Sequence, residues 1–152
     1  RVLPDSTISA RVVVYQEAAQ QIRALQQEQQ LFASIKDKPG IGMFPNGVRY
    51  IILKIGKGVR PVESDSILVN LIAKLPDGTV VEDTYQTKKP FATTPSGFFP
   101  GLNEALQNMT EGSRWQLFIP SVLAYGNKGT TQIPPNSALI IEVELIEVKP
   151  VK

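Results

Sequence analysis

The chain contains no cysteine and no histidine. Without cysteine there is no disulfide, no thiolate nucleophile, no iron–sulfur cluster and no thiolate zinc site. Without histidine the usual general base near neutral pH is missing, as is the commonest zinc ligand. Ser-His-Asp and Cys-His hydrolases are therefore excluded, and any catalysis runs on other groups. Aromatic residues are sparse, at 7% with a single tryptophan. Charge is nearly balanced over the 152 residues, 16 Lys+Arg against 14 Asp+Glu. With no long basic block, nucleic acid is not indicated as a partner. No apolar run approaches the ~18–20 residues of a membrane span. The chain begins at Arg1 rather than Met, which reads as a processed or trimmed product.

The distribution of glycine and proline is uneven. Residues 1–38 hold no glycine and only Pro4, whereas all 11 glycines and the other 11 prolines lie from Pro39 onward. This composition step divides the chain into a helical arm, residues 1–38, and a turn-rich domain, residues 39–152. The arm reads as a helix from about Thr7 to Ile35, with Asp5, Ser6 or Thr7 as its cap. Ile8, Val12, Tyr15, Ala19 and Ile22 recur at spacings of four and three, and Leu25, Phe32 and Ile35 continue the stripe. The β-branched run Val12–Val14 weakens the helix locally. Seven glutamines between Gln16 and Gln30 form a polar face. Such a helix, roughly 40 Å long, cannot bury its stripe on itself. It is expected to pack on the domain or on a second copy, through Val12, Tyr15, Ala19 and Ile22.

From Pro39 the period becomes two. Arg49–Ile55 reads as a strand. Ile67, Val69, Leu71, Ala73 and Leu75 alternate with Leu68, Asn70, Ile72 and Lys74. Pro76-Asp77-Gly78 is a hairpin turn leading into Thr79–Glu82. Trp115, Leu117 and Ile119 alternate in another strand, as do Leu139, Ile141, Val143 and Leu145 in the last. One short helix, about Gly101–Met109, puts Leu102, Ala105, Leu106 and Met109 on one face. The expected architecture is α+β: an antiparallel sheet with one helix across it.

Three separated motifs are more specific than this periodicity. One is Pro100-Gly101-Leu102-Asn103-Glu104-Ala105-Leu106-Gln107-Asn108-Met109, followed by Glu111-Gly112-Ser113-Arg114-Trp115. Another is Ile119-Pro120-Ser121-Val122-Leu123-Ala124-Tyr125-Gly126, with Ile133-Pro134-Pro135-Asn136-Ser137 and Val143-Glu144-Leu145 after it. The third is Leu75-Pro76-Asp77-Gly78-Thr79-Val80. In this order and spacing, Gly47 to Lys149 resembles the FKBP-type peptidyl-prolyl cis-trans isomerases. The arm, with Phe32 to Tyr50, resembles the bacterial subgroup related to macrophage infectivity potentiator proteins.

The resemblance implies a strongly bent antiparallel sheet wrapped around one short helix, with a cleft between them. It implies catalysis of rotation about X-Pro bonds, whose barrier of ~18–20 kcal/mol comes from amide resonance. A dry apolar pocket that binds the twisted amide lowers this barrier without nucleophile, metal or imidazole. No cofactor and no metal are implied. By resemblance, Tyr125 offers its hydroxyl to a ligand carbonyl, and the backbone N–H of Phe99 is a second donor. Ile133 and Phe91 are wall residues. Phe98 and Phe99 replace a Val-Ile pair, which narrows the cleft or supplies ring surface lost elsewhere.

Several positions depart from the family pattern. Leu102 stands where the indole floor is expected and Leu71 where a strand tyrosine is. Val81-Glu82 replaces Phe-Asp, and Ile141 replaces a phenylalanine. Taken singly, Leu71, Leu102 and Ile141 read as plain core residues; the motif order joins them into a cleft. Trp115 reads as packing or surface. The cluster Asp77, Glu82 and Asp83 lies beside a tight turn and is expected to face solvent rather than bind a cation. Two functions follow: an isomerase with weakened or altered activity, or an inactive chaperone or protein-binding module on the same fold. The implied partners are proline-containing polypeptides and a second copy bound through the arm. The implied location is the bacterial envelope, periplasmic or lipid-anchored.

Overall fold

The structure is a computed structural model that describes the backbone of residues 5–150 and the side chains of 19–150, Gln21 excepted. The arm is one helix, α1 (Asp5–Ile35). It starts two residues before Thr7 and runs unbroken through the valine run, because its Ala, Gln, Glu and Leu content favours the helix. It ends as anticipated: Pro39 cannot extend it, the Lys38 N–H bonds back to the Ile35 carbonyl at 3.0 Å, and Gly40 takes φ +81°.

The remaining elements are β1 (Gly42–Met43), β2 (Arg49–Lys54), β3 (Ser66–Lys74), β4 (Val80–Asp83), α2 (Thr84–Thr87), β5 (Phe91–Thr93), α3 (Pro100–Asn108), β6 (Arg114–Ile119) and β7 (Leu139–Lys149). The strands form one antiparallel sheet in the order β1-β2-β6-β7-β3-β4, with β5 also paired to β3. This is the expected α+β architecture. The alternation read from the sequence is the alternation of burial. Ile67, Val69, Leu71 and Ala73 of β3 point inward, as do Leu139, Ile141, Val143 and Leu145 of β7. Facing them, α3 buries Leu102, Ala105 and Leu106, and Met109 follows at its end.

Three short elements had no readable period. β1, β5 and α2 span 2, 3 and 4 residues, too few to show one. Between β4 and β5, the strand β3 lacks a neighbour, and α2 fills the gap. There Thr84, 1% exposed, accepts the Leu71 N–H on its hydroxyl at 2.8 Å and donates to Asn70 Oδ1 at 2.7 Å. A backbone amide that no strand partners is thereby satisfied. Asp83 caps α2, accepting from the Tyr85 and Gln86 N–H groups at 3.0 and 3.1 Å. Asp77 accepts the Thr79 N–H at 2.9 Å within the hairpin turn, and that bond holds its carboxyl below the usual range. Two of the three clustered carboxylates are therefore turn-formers. The third, Glu82, half-buried, lines the cavity described below, in the catalytic place that its match to the family's aspartate implies. Trp115 is packing: it stacks on Tyr50 at 5.0 Å, and Tyr50 on Phe44 at 4.6 Å.

The arm seats its C-terminal half on the domain. Ala24 and Ile35 are buried. The Arg49 guanidinium sits 4.9 Å over the Phe32 ring, and Glu28 accepts the Ser121 N–H. The docked positions 24, 28, 32 and 35 follow the helical repeat. The stripe expected from the sequence meets the domain only at its end, through Phe32 and Ile35. Ala19, Ile22 and Leu25 are exposed, and the side chains of Ile8, Val12 and Tyr15 lie outside the described residues. Ahead of Phe32 the seat is made instead by a small residue, Ala24, and a carboxylate, Glu28.

Two close fits lead to measurements. A methyl on Gly101 would lie 2.6 Å from Ile119 Cγ2 and 3.1 Å from the Leu123 carbonyl oxygen. Gly101→Ala is expected to cost about 1–3 kcal/mol in urea unfolding; a loss below ~0.5 kcal/mol would show that α3 can back away. The Tyr85 hydroxyl donates to Glu144 Oε1 at 2.9 Å. Burial, then this bond and the Glu144 charge, push the phenol up to about 12. The folded chain thus holds this proton more tightly than the unfolded one. The stabilisation is complete below pH ~10 and is lost as the pH rises towards about 12. Urea midpoints should fall more steeply above pH ~10 in the parent than in Tyr85→Phe; parallel slopes would contradict this.

Candidate active site

A cavity of about 320 Å³ lies between α3 and the inner face of the sheet. Its deep side is aliphatic: Leu71, Leu102, Leu139 and Ile141 are all nearly or fully buried. They arrive there by period. Leu71 and Ala73 are consecutive inward positions of β3, Leu139 and Ile141 of β7, and Leu102 begins the buried face of α3.

Aromatic rings form the sides. Phe91 of β5 meets Phe98 edge-on at 6.1 Å. Phe99 meets Tyr125 at 5.1 Å and 61°. Edge-to-face geometry at these separations is favourable for rings. Phe99 is the N-cap of α3. Its carbonyl accepts the Asn103 N–H at 3.0 Å, while its own N–H lies outside the helical ladder. Pro100 suits the first helical position, having no N–H to lose there.

Tyr125 sits on the loop after β6. The Ser121 carbonyl accepts from both Ala124 N–H, at 3.0 Å, and Gly126 N–H, at 2.8 Å. The two amides flanking Tyr125 are thus fixed to one oxygen, and the residue is 41% exposed. Ile133, which is buried, lines the same cavity. Thr130 holds it, the Thr130 N–H bonding to the Ile133 carbonyl at 2.8 Å and Thr130 Oγ1 accepting the Ile133 N–H at 3.0 Å. Gly129, at φ +62°, allows this turn, since a Cβ there would collide with the Ile133 carbonyl.

All ten residues named from the sequence line this one cavity: Leu71, Val81, Glu82, Phe91, Phe98, Phe99, Leu102, Tyr125, Ile133 and Ile141. Five more line it that were not named. Ala73 and Leu139 were visible as neighbours in the alternation, two residues from Leu71 and Ile141. Thr130, Thr131 and Gln132 carried no signal beyond adjacency to Ile133, because loop residues have no period. A larger groove of about 410 Å³ runs past Ser66–Leu68, Ala92–Thr94, Glu147 and Lys149. Its charged groups pair with each other on the surface, Lys149 Nζ to Glu147 at 3.6 Å. No aromatic residue lines it, so the aromatic-walled cavity is the candidate site.

The chemistry such a cavity can do is limited to shape, desolvation and a few hydrogen bonds. Its polar groups are the Glu82 carboxylate, the Tyr125 hydroxyl and the loop side chains Thr130, Thr131 and Gln132. Among the described residues no cluster of three or more acidic side chains could hold a metal.

Residues 57–146 match the sequence profile of the FKBP-type peptidyl-prolyl cis-trans isomerases. The chain belongs to this family. It is 43% identical over 115 residues to the outer membrane protein MIP of Legionella longbeachae, covering 75% of this chain and 49% of that one. It is 35% identical over 142 residues to the FKBP-type isomerase FkpA of Escherichia coli, covering 93% and 52%. The chain thus spans about half the length of the curated relatives it matches. The crystal structure of Escherichia coli FkpA superposes with a TM-score of 0.86 at 29% identity, covering 99% of this chain and 75% of that one. A peptidyl-prolyl isomerase from Pseudomonas syringae gives 0.76 at 34% identity, covering 84% and 94%. The FKBP fold therefore holds for the sheet and α3, and the FkpA superposition extends into the arm.

Proposed function

We propose that this chain accelerates cis-trans isomerisation of X-Pro bonds in polypeptide clients. The observation that carries the reading is the convergence of the named residues on one apolar, ring-walled cavity, in a chain of this family. In this reading the prolyl ring rests over Leu102, Leu71 and Ile141. The Tyr125 hydroxyl and the Phe99 N–H hold the flanking carbonyls. Glu82 stands at the rim in the position of the family's aspartate. Phe91, Phe98, Val81 and Ile133 shut out water.

The mechanism follows from the amide. A planar X-Pro amide is strongly dipolar; at the top of the ~18–20 kcal/mol barrier the C–N bond has lost its double-bond character and much of that dipole. A low-dielectric cavity disfavours the planar form more than the twisted one, and fixed donors hold the carbonyls while the bond turns. Every 1.36 kcal/mol of such discrimination is tenfold in rate. No group need gain or lose a proton.

The aliphatic floor sets the expected strength. Each ring replaced by an aliphatic group forgoes about 0.5–1.5 kcal/mol of ring-specific attraction, so we propose activity below that of an aromatic-floored site. If activity is absent, the same cavity serves a protein-binding module or chaperone. A protease-free isomerisation assay on a proline peptide decides between them. Catalysis is expected at micromolar enzyme, raised up to about tenfold by Leu102→Trp and lowered about tenfold by Tyr125→Phe. No acceleration by the parent chain overturns the isomerase reading.

We also propose that the arm, residues 1–38, while seated on the domain, residues 39–152, by its C-terminal half, presents its free face to a second copy. Ala19 and Ile22 are exposed on it. Light scattering should give a dimer that Ile22→Glu weakens about tenfold or more; a strict monomer contradicts it. An envelope location is proposed because one relative is an outer membrane protein. No helix among the described residues is long and apolar enough to cross a membrane.

A further inference from the structure

One carboxylate of the arm reaches the loop that carries Tyr125. Glu28 Oε1 accepts the Ser121 N–H at 2.5 Å, across 93 positions of sequence. Ser121 opens a short 3-10 turn, Ser121–Leu123, whose preceding residue is Pro120 and which has no side-chain cap of its own. A proline ring offers no acceptor, so the first amide of this turn depends on a group from elsewhere. Ser121 is 3% exposed, which leaves little access for water to take that role. The carboxylate supplies a charge-assisted bond, stronger than a neutral one.

The next link is on the same residue. The Ser121 carbonyl accepts from both amides that flank Tyr125. Tyr125 in turn sets its ring against Phe99 at the cavity mouth. Thus Glu28 holds Ser121, Ser121 holds the backbone on both sides of Tyr125, and Tyr125 closes the site. Glu28 itself does not line the cavity.

We propose that Glu28 is a positioning residue for Tyr125, so that the seat of the arm on the domain sets how well the cleft holds a substrate carbonyl. The inference rests on the isomerase reading above for its catalytic consequence, but not for its structural one. Glu28 acts only through Ser121. The Phe32–Arg49 contact and the buried Ala24 and Ile35 keep the helix seated when the carboxylate is removed. The device is a specific bond rather than the bulk of the arm.

The test uses the full chain with Glu28→Ala and Glu28→Gln, read by amide hydrogen exchange and by the isomerisation assay. In Glu28→Ala the Ser121 and Gly126 amides should exchange about tenfold faster while β7 amides keep their rates. The value of kcat/KM should fall about threefold to tenfold, mainly through KM. Glu28→Gln keeps an oxygen acceptor and should recover both readouts to within about twofold. Unchanged exchange at Gly126 in Glu28→Ala overturns the proposal. So does faster exchange spread evenly into β7, which marks general destabilisation, or a Glu28→Gln variant as impaired as Glu28→Ala. If the parent chain proves inactive, the isomerase reading falls, and the exchange pattern alone still decides whether Glu28 positions the loop.

Discussion

At Gly101 the backbone of α3 comes so near Ile119 and the Leu123 carbonyl that a single methyl would not fit. Most of the site depends on that approach. It pins the start of α3 against the end of β6, and so brings the Phe98–Phe99 pair and Leu102 into one space with the Tyr125 loop. Behind it stands the long antiparallel pairing of β3 with β7, whose inward residues make the deep wall. Helix and sheet bury each other's apolar faces, and the gap left at one end of that contact is the cavity. Core and site are therefore one packing problem here. The residues of the deep wall are at once core and binding surface, which is why they are apolar, buried and tightly constrained.

This shared role also explains which features were legible in the sequence. The inward sets of β3 and β7 follow a period of two, and the buried face of α3 follows a helical period, so their burial could be read directly. The cavity residues on those elements came with them. Joining Tyr125, Ile133 and Phe99 to that wall required the motif order, since none of the three has a periodic signature. Hidden features were those decided by single polar contacts. Thr84 substitutes for a missing strand partner at Leu71, and nothing in a four-residue helix announces it. Asp77, Glu82 and Asp83 look alike in sequence, yet Asp77 holds a turn, Asp83 caps α2 and Glu82 lines the cavity. The arm was read as helical, but its docked face was assigned to the large apolar residues. Phe32 and Ile35 of that set do dock, but Ala24 and Glu28 share the work, because small size permits close approach and a carboxylate reaches a buried amide.

The physical character of the site follows from what the chain lacks. With no histidine or cysteine, the cavity holds no imidazole to shuttle protons and no thiolate to attack a carbonyl. It offers low dielectric, ring edges and a few fixed donors. Such a site can act on a bond whose barrier is resonance, because desolvation alone changes the balance between planar and twisted forms. It also explains how substitution of rings by leucine, valine and isoleucine can leave the architecture intact. The volume is still filled and lined by apolar groups, while the ring-specific attraction is lowered. In the proposed isomerase, affinity and rate are what those replacements would grade; the fold is not.

The central claim is that the ring-walled cavity, and no other surface of the chain, receives a prolyl segment. Titrating the isotopically labelled chain with a short proline peptide, and following backbone amide shifts, tests it most directly. The account predicts saturable shifts at Phe99, Leu102, Tyr125 and Ile133, with the groove along Ser66–Leu68 and Ala92–Thr94 unchanged. Shifts confined to that groove or to the arm, or no saturable shift at millimolar peptide, would contradict it.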